Sequence, residues 1–585
     1  MKRFFAIIAV LTVVICAVVF TACDALNGGT ISTTITTDTS NTSGSSDAGG
    51  GTTNASGTDA SALQDEPAAD ETFEEITEAS GDFVIVTEDG EYSEASGVYT
   101  LTKAGTYTLS GSLSGQILVD AGEDDEVVLE LNGVTITYGS DSPIKVVAAD
   151  KVEISAKKET NNVIKDTRGE KTVDSDEQGE GAISANCDLK LKGNGVLVVE
   201  AGYNNGVHTT KDLTIKNLSL KVTAVNNALK GKASVTMESG TVVAISTKGD
   251  GVKTEDTDLS SKGNQRGTVT LSDGSFTIYA AGDAVQASYD FVMNGGSMTV
   301  YTGSYSSYTA SSATTTSYKG IKVGNELKII DGTLTIYSYD DGLHADYGTS
   351  LENGATGKGN ITISGGSVII AVYSPTKSTA TGRSMRGGWG GWSNQQSVSG
   401  SDAIHADNTL TVSGGTVTID SAYEGLEATH ILIQGGTTTV YATDDGVNAA
   451  KKADNSPTIV VSGGTLDVTV PSGDTDGIDS NGTYTQTGGV VIARGPGSAS
   501  GGMGGGACAM DMDGGITLKG GTLIVFGGVE GTLSASGVTK TLCSSSTVSA
   551  GTHTVTVGGT TYTVELKYSS SGCLVYSDGG SATLK

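Results

Sequence analysis

Proline is scarce in this chain of 585 residues, at 6 against 84 glycines. The glycines follow a repeat and do not form one tract, which argues for many tight turns between short strands and against disorder. Basic residues are also few: 35 Lys and Arg face 66 Asp and Glu, a formal charge of -31. That excludes nucleic acid as a partner, because phosphate binding needs a basic surface. An excess of carboxylates suits calcium, or solubility in a secreted, cation-rich setting. Cys187, Cys508, Cys543 and Cys573 lack CxxC spacing and histidine partners in sequence, so they give no zinc signature. In an exported protein a disulfide among the last three is open, with its pairing unset.

What the chain has is a repeat. Asp340-Asp341-Gly342-Leu343-His344-Ala345 recurs in variant form as Ser401-Asp402-Ala403-Ile404-His405-Ala406 and Asp444-Asp445-Gly446-Val447-Asn448-Ala449. Aligned on the aliphatic residue, the copies fall at Ile183, Val207, Leu229, Val252, Val285, Ile321, Leu343, Ile404, Leu426, Val447 and Ile478. Most steps are 21 to 24 residues, and the longer ones read as that step plus a loop. A second element, such as Gly295-Gly296-Ser297-Met298-Thr299-Val300-Tyr301 or Gly414-Gly415-Thr416-Val417-Thr418-Ile419, alternates Thr with aliphatics. That is the period of a strand with one buried face. Two or three short strands per repeat of about 22 residues, with no helical stretch, predict an all-β parallel β-helix rising about 4.8 Å per coil. A leucine-rich repeat is excluded by its missing Leu-x-x-Leu-x-Leu framework.

Along the chain, residues 1–22 read as an export signal, a basic start followed by an apolar run. Small residues before Cys23 resemble a bacterial lipobox, so Cys23 is the expected lipidation site and the protein is expected outside the cell, lipid-anchored to the membrane. Residues 23–81, rich in Ser, Thr and Gly, read as a disordered tether. Residues 82–585 then form one solenoid, expected to be a monomer: an N-terminal cap and first coils (82–180), repeats (181–526) and a C-terminal cap (527–585). Insertions are expected at Lys253–Gly282, Tyr301–Tyr318 and Tyr347–Ser401, with a glycine-rich loop at 495–506.

Equivalent positions of successive coils stack into columns, and three carry chemistry. The first, just before the aliphatic, is read as Glu180, Asn205, Asn227, Asp250, Asp283, Lys319, Asp341, Asp402, Glu424, Asp445 and Asp476. Bare carboxylates about 4.8 Å apart repel by roughly 1 kcal/mol in water and about 3–4 kcal/mol at a protein surface. Calcium relieves that, which makes Asp250, Asp283, Asp341, Asp402, Glu424, Asp445 and Asp476 the expected metal ligands. Alternatively Asp and Asn form turns here, although Glu424 is a poor turn former. The second column, after the aliphatic, includes Lys230, Lys253, Lys322, His344, His405, Glu427, Asn448 and Asp479. A lysine beside a calcium column could be the base of a β-elimination, with Lys253 the candidate, or simply an ion-pair partner. His344 and His405 stack without an evident third ligand, which reads as a polar ladder. The third column holds Tyr279, Tyr301, Tyr337 and Tyr441, placed outward by alternation. They read either as a platform for sugar rings or as a self-stabilising ladder. Trp389 and Trp392, in a glycine-rich loop, are a further candidate platform.

With these residues assembled, the chain resembles the carbohydrate-binding β-helix proteins of cellulose-degrading clostridia, similar in fold to family 9 pectate lyases. The likeness runs from Gly97 to about Gly489. It is densest in Ala104-Gly105-Thr106-Tyr107-Thr108-Leu109-Ser110-Gly111, Leu131-Asn132-Gly133-Val134-Thr135-Ile136, Tyr203-Asn204-Asn205-Gly206-Val207 and Lys248-Gly249-Asp250-Gly251-Val252-Lys253. The resemblance implies a right-handed, single-stranded β-helix, bound calcium, and binding of cellulose or acidic plant polysaccharide such as pectin. Non-catalytic binding is the leading expectation. A calcium-dependent lyase and a structural adhesin are the alternatives.

Overall fold

The computed structural model describes Phe73 and residues 76–172, 178–303, 317–372, 400–473, 475–498 and 507–585. The export signal, Cys23, most of the tether, Trp389, Trp392 and residues 499–506 lie outside the described residues. Those that are described hold no α-helix, and 47 strands join in a single, mostly parallel sheet. The all-β solenoid expected from the repeat is what forms.

Each full coil contributes to three parallel ladders. The first passes through 181–185, 205–209, 229–231, 252–253, 285–287, 321–323, 343–345 and onward to 529–530. The second includes 188–193, 212–216, 234–237 and 268–271, and the third includes 196–201, 218–224, 240–246 and 275–280. The aliphatic column is the register of the first ladder: Ile183 pairs with Val207, Val207 with Leu229, and the series continues unbroken through Ile478. It extends beyond the repeats, to Ile144 and Ile117 at one end and Met510 at the other. All eleven members are fully buried. They form the inner wall of one continuous apolar core, whose burial is the main stabilising term.

The glycine of the Asp-Gly-aliphatic motif has a steric cause. A Cβ on Gly446 would lie 2.2 Å from Val468 Cγ1 of the third ladder and 2.6 Å from the Gly477 carbonyl oxygen. In the eleven repeat copies only Gly or Ala stands at this step, and the alanines (Ala182, Ala228, Ala284, Ala403) are fully buried. The Gly-Gly turn before the third ladder differs in kind: its second glycine has φ of 71 to 79° at Gly296, Gly415, Gly436, Gly464, Gly489 and Gly521, a conformation that a Cβ penalises.

Both ends close with antiparallel pairs, which hide the parallel edges. At the N-terminal end, strand 84–86 pairs with 105–114, and 92–95 with 98–101. At the C-terminal end, 573–577 pairs with 522–526 and 539–544, beside a three-stranded sheet of 551–557, 560–566 and 582–584. Cys543 and Cys573 adjoin in this cap, where the two thiols interact; Cys508 lies elsewhere, near Glu530.

Three expectations change in detail, one of them the insertion expected at 347–401, within which Asn360–Ile363 and Ser367–Val372 are ordinary strands of the second and third ladders. The expected tether reaches residue 81, yet Phe73 and Ile76 pack on Val198 and Val243 of the third ladder, and Glu78 pairs with Lys165 at 2.6 Å. These are the first large apolar side chains after the polar stretch, and they find apolar outer positions to cover. The expected insertion at 253–282 shrinks to 254–267, because Thr268–Leu271 and Ser275–Ala280 are ordinary strands of the second and third ladders.

Candidate functional site

The column before the aliphatic starts one residue later than sequence alone suggested: Gly181, not Glu180, pairs with Asn205. From there seven members of the column place a side-chain oxygen to accept a hydrogen bond from the backbone N–H of the next coil's equivalent residue. Asn205 Oδ1 accepts from Asn227 N at 3.3 Å, Asn227 Oδ1 from Asp250 N at 3.2 Å, and Asp250 Oδ1 from Asp283 N at 3.0 Å. Asp283 Oδ1 accepts from Lys319 N at 2.7 Å, Asp341 Oδ1 from Asp402 N at 2.9 Å, and Asp445 Oδ1 from Asp476 N at 2.8 Å. Asp and Asn recur here because a short side chain with an oxygen satisfies a turn N–H of the adjoining coil. The turn-forming reading therefore accounts for one carboxylate oxygen of five aspartates, counting Asp476 with Cys508 N.

The second oxygen separates the members. Asp250 Oδ2 lies 2.9 Å from Lys253 Nζ, so the candidate base is an ion-pair partner of the expected ligand. Lys319 has no acceptor and breaks the ladder. Its ammonium bridges Asp340 Oδ1 at 2.9 Å and Asp341 Oδ2 at 2.7 Å; burial would lower its pKa, but these carboxylates raise it instead. Lys230 pairs with Glu255 at 2.6 Å, and Lys322 with Asp346 at 3.6 Å. A general base must be unprotonated, and the carboxylates around Lys319 favour its protonated form.

At His344 and His405 the two columns fuse into a cluster. The rings stack with centroids 4.6 Å apart and 19° between planes. His344 Nδ1 is 2.8 Å from Asp341 Oδ2, and its Nε2 is 2.9 Å from Asp346 Oδ1. His405 Nδ1 is 2.7 Å from Asp402 Oδ2 and 2.8 Å from Glu427 Oε2, and its Nε2 is 3.1 Å from Asp407 Oδ1. Lys452 closes the group at 3.0 Å from Glu427 Oε1. Burial alone would push both imidazoles down. Hydrogen bonds to Asp341 and Asp346 raise His344, and those to Asp402, Asp407 and Glu427 carry His405 up to about 12. Burial would raise Asp341, but Lys319 and His344 hold it well below the usual carboxylate range. The repeated spacing Asp-x-x-His-x-Asp (341-344-346, 402-405-407) is the sequence signal for this cluster, and its last aspartate was not among the expected site residues.

Farther along, the carboxylates face one another. Burial pushes Asp445 up to about 8, with Asp444, Asp476 and Asp479 adding to the shift. Asp479 rises to about 7 through burial and the nearby Asp476, Asp511 and Asp513. Glu424 is likewise raised, by burial and then by Asp402, Glu427 and Asp445. Oxygen-only clustering of this kind is what calcium binds. By donor type alone the set fits calcium at Asp445, Asp476 and Asp479, but among the described residues three His, Cys, Asp or Glu donor atoms within 4.8 Å of one another occur only around His344 and His405. Calcium fits less well at Asp250 and Asp341, where both oxygens are engaged, at Asp283, which also accepts from Ser317 at 2.6 Å, and at Asp402, which is committed to His405.

Tyr279, Tyr301 and Tyr337 are in register on the third ladder. Their rings stack on one another, at 4.8 Å and 5° for the first pair and 5.1 Å and 14° for the second. Both faces of Tyr301 are thus covered by its neighbours. Tyr279 also packs on the Phe73 cluster, whereas Tyr337 is followed in register by Ala371, too small to cover a ring. Tyr441 stands apart from the row: its hydroxyl is 3.0 Å from that of Tyr568, and Lys567 Nζ lies 3.4 Å from its ring centroid.

Fold and columns together define a parallel β-solenoid with an acidic edge, a histidine–carboxylate cluster and a stacked tyrosine row. The family described as carbohydrate-binding domain-containing protein matches over residues 95–371, 349–446 and 395–582, and the chain belongs to it. A carbohydrate-binding domain-containing protein of Acetivibrio thermocellus is 40% identical over 126 residues, covering 21% of this chain and 44% of that relative's length. Among solved structures, a polysaccharide lyase-like protein from C. thermocellum, in a gadolinium derivative, is 33% identical, covers 41% of this chain and 90% of its own, and superposes with a TM-score of 0.36.

Proposed function

We propose that this protein is a non-catalytic polysaccharide-binding solenoid, right-handed and single-stranded, with coils of about 22 residues between insertions. The observation that carries the reading is the match of a carbohydrate-binding family across residues 95–582, nearly all of the solenoid. The state of the lysines supports the absence of catalysis, since Lys230, Lys253, Lys319 and Lys322 are each engaged by a carboxylate. A net charge of -31 repels a polyanion, so a neutral glucan such as cellulose is the favoured ligand. Acidic pectin would need calcium to bridge like charges. Calcium is assigned to the lower coils, at Asp445, Asp476 and Asp479. Cys23 is the proposed lipid anchor that holds the protein at the outer cell surface, and mass spectrometry of the mature N-terminus tests it by the presence or absence of an acylated cysteine.

The row of tyrosines gives the reading a specific test. A sugar ring can stack on Tyr337 over Ala371, whereas Tyr301 is already sandwiched. Tyr337→Ala is expected to weaken cellulose binding by about 0.5–1.5 kcal/mol, in the range of a lost aromatic contact, with Tyr301→Ala acting only through loosening of the row. Equal retention of wild type and Tyr337→Ala on cellulose would remove the tyrosines from the binding face.

A further inference from the structure

His344 and His405 lack a third ligand in sequence, which is why they read as a polar ladder. The fold supplies one. Glu427, one coil beyond His405 in register, brings Oε2 to 2.8 Å from His405 Nδ1, the same nitrogen that lies 2.7 Å from Asp402 Oδ2. One donor atom from each of Asp402, His405 and Glu427 falls within 4.8 Å of the others. Asp341, His344 and His405 form an overlapping triple. Because His405 belongs to both, the two triples offer one ion position rather than two.

We propose that Asp402, His405 and Glu427 form a binding site for a single divalent transition-metal ion of the zinc type. Imidazole in the donor set separates this site from the calcium positions, since calcium takes oxygen ligands and imidazole suits zinc and its neighbours. Zinc–ligand distances of about 2.0–2.2 Å require the three donors to part slightly from their hydrogen-bonded spacing. The surroundings match a metal-bound imidazole. With Nδ1 on the ion, Nε2 keeps its proton and donates it to Asp407 Oδ1 at 3.1 Å, the carboxylate–histidine–metal arrangement that fixes tautomer and ring orientation.

The charges around the rings point the same way. Five carboxylates (Asp341, Asp346, Asp402, Asp407, Glu427) touch the two imidazoles, and three ammonium groups (Lys319, Lys322, Lys452) pair with them. Lys319 is shared with Asp340 as well, so carboxylates outnumber ammonium groups around the rings, a balance that favours a bound cation. The site is independent of the carbohydrate-binding reading.

The test is calorimetric titration of the chelator-stripped full-length protein with zinc chloride at neutral pH. One equivalent should bind, with no displacement by excess calcium. Cobalt(II) in the same protein should give the visible absorption of a low-coordinate nitrogen- and oxygen-ligated ion. His405→Gln and Glu427→Gln should each abolish the isotherm while far-ultraviolet circular dichroism stays that of the wild type. Should either variant fail to fold, Asp407→Asn keeps all three ligands and should lower affinity 10- to 100-fold, the range for a lost outer-shell partner. An absent isotherm in the wild type overturns the proposal. So does zinc binding that is unchanged in the folded variants.

Discussion

Above Lys319 and below Glu424 the same column position is solved in two ways. In the upper coils Asn205, Asn227, Asp250 and Asp283 pass one hydrogen bond per coil down the turn. Lys253 takes the second oxygen of Asp250, while burial and then Asp250 raise Asp283. In the lower coils Glu424, Asp445 and Asp479 face other carboxylates and are pushed above the usual carboxylate range. Both arrangements sit on one backbone register. The turn asks only for a side-chain oxygen, so what the second oxygen meets is free to vary. That freedom lets the two regions differ, and the proposed calcium would act on the lower one.

The comparison can be broken or sharpened in several ways, beginning where the two regions should not differ. Leu229 and Leu426 occupy equivalent, fully buried core positions. Leu229→Ala and Leu426→Ala should each cost about 2–5 kcal/mol in denaturant unfolding. A much smaller loss at Leu426 would show that the lower core is not packed as the upper one is.

His208 gives the upper coils a pH response of their own. Burial, with Lys230 beside it, lowers its pKa to about 4. The unfolded chain therefore binds the proton first. His208 stability is complete above the ordinary histidine pKa and is lost as pH falls from there toward 4, by up to about 3 kcal/mol. The difference in unfolding free energy between wild type and His208→Gln, followed across that window, isolates this contribution, and a flat difference refutes it.

Calcium should act on the other region. At a hundred times its dissociation constant it should add about 2.7 kcal/mol to stability. The gain should vanish in an Asp445→Asn, Asp479→Asn double variant and survive in Asp250→Asn, as read by thermal unfolding. The smallest effect is expected for Asn227→Ala, which leaves the Asp250 N–H without its partner and removes one of the two donors to Asn205 Oδ1, the backbone N–H of residue 227 remaining. Loss of about 1–3 kcal/mol should appear without any change in calcium response.

Much of this was legible in the chain. Val, Leu or Ile at a fixed spacing gave the first ladder residue by residue, because a column that points into the core admits nothing else. The Gly or Ala before it was equally readable once seen as a place with no room for a larger side chain. The acidic column was visible as a column, but sequence cannot say which oxygen a backbone N–H claims, so Asp250 and Asp445 looked alike. The tyrosines were found by strand alternation, while their mutual stacking and the separation of Tyr441 depend on coil-to-coil register and on the C-terminal segment that covers Tyr441. Glu427 as partner of His405 was hidden for the same reason, since the two stand 22 residues apart and meet only when the coils stack. Asp346 and Asp407 could have been found from the repeated Asp-x-x-His-x-Asp.

The most direct test of polysaccharide binding without catalysis is to incubate the full-length protein with cellulose and with polygalacturonate, each with and without calcium. Retention on the polymer and ultraviolet absorbance of an unsaturated product are then followed in the same samples. Retention on cellulose, retention on polygalacturonate only when calcium is present, and no absorbance change are the predicted result. Calcium-dependent absorbance that disappears in Lys253→Ala, or no retention on either polymer, would contradict it.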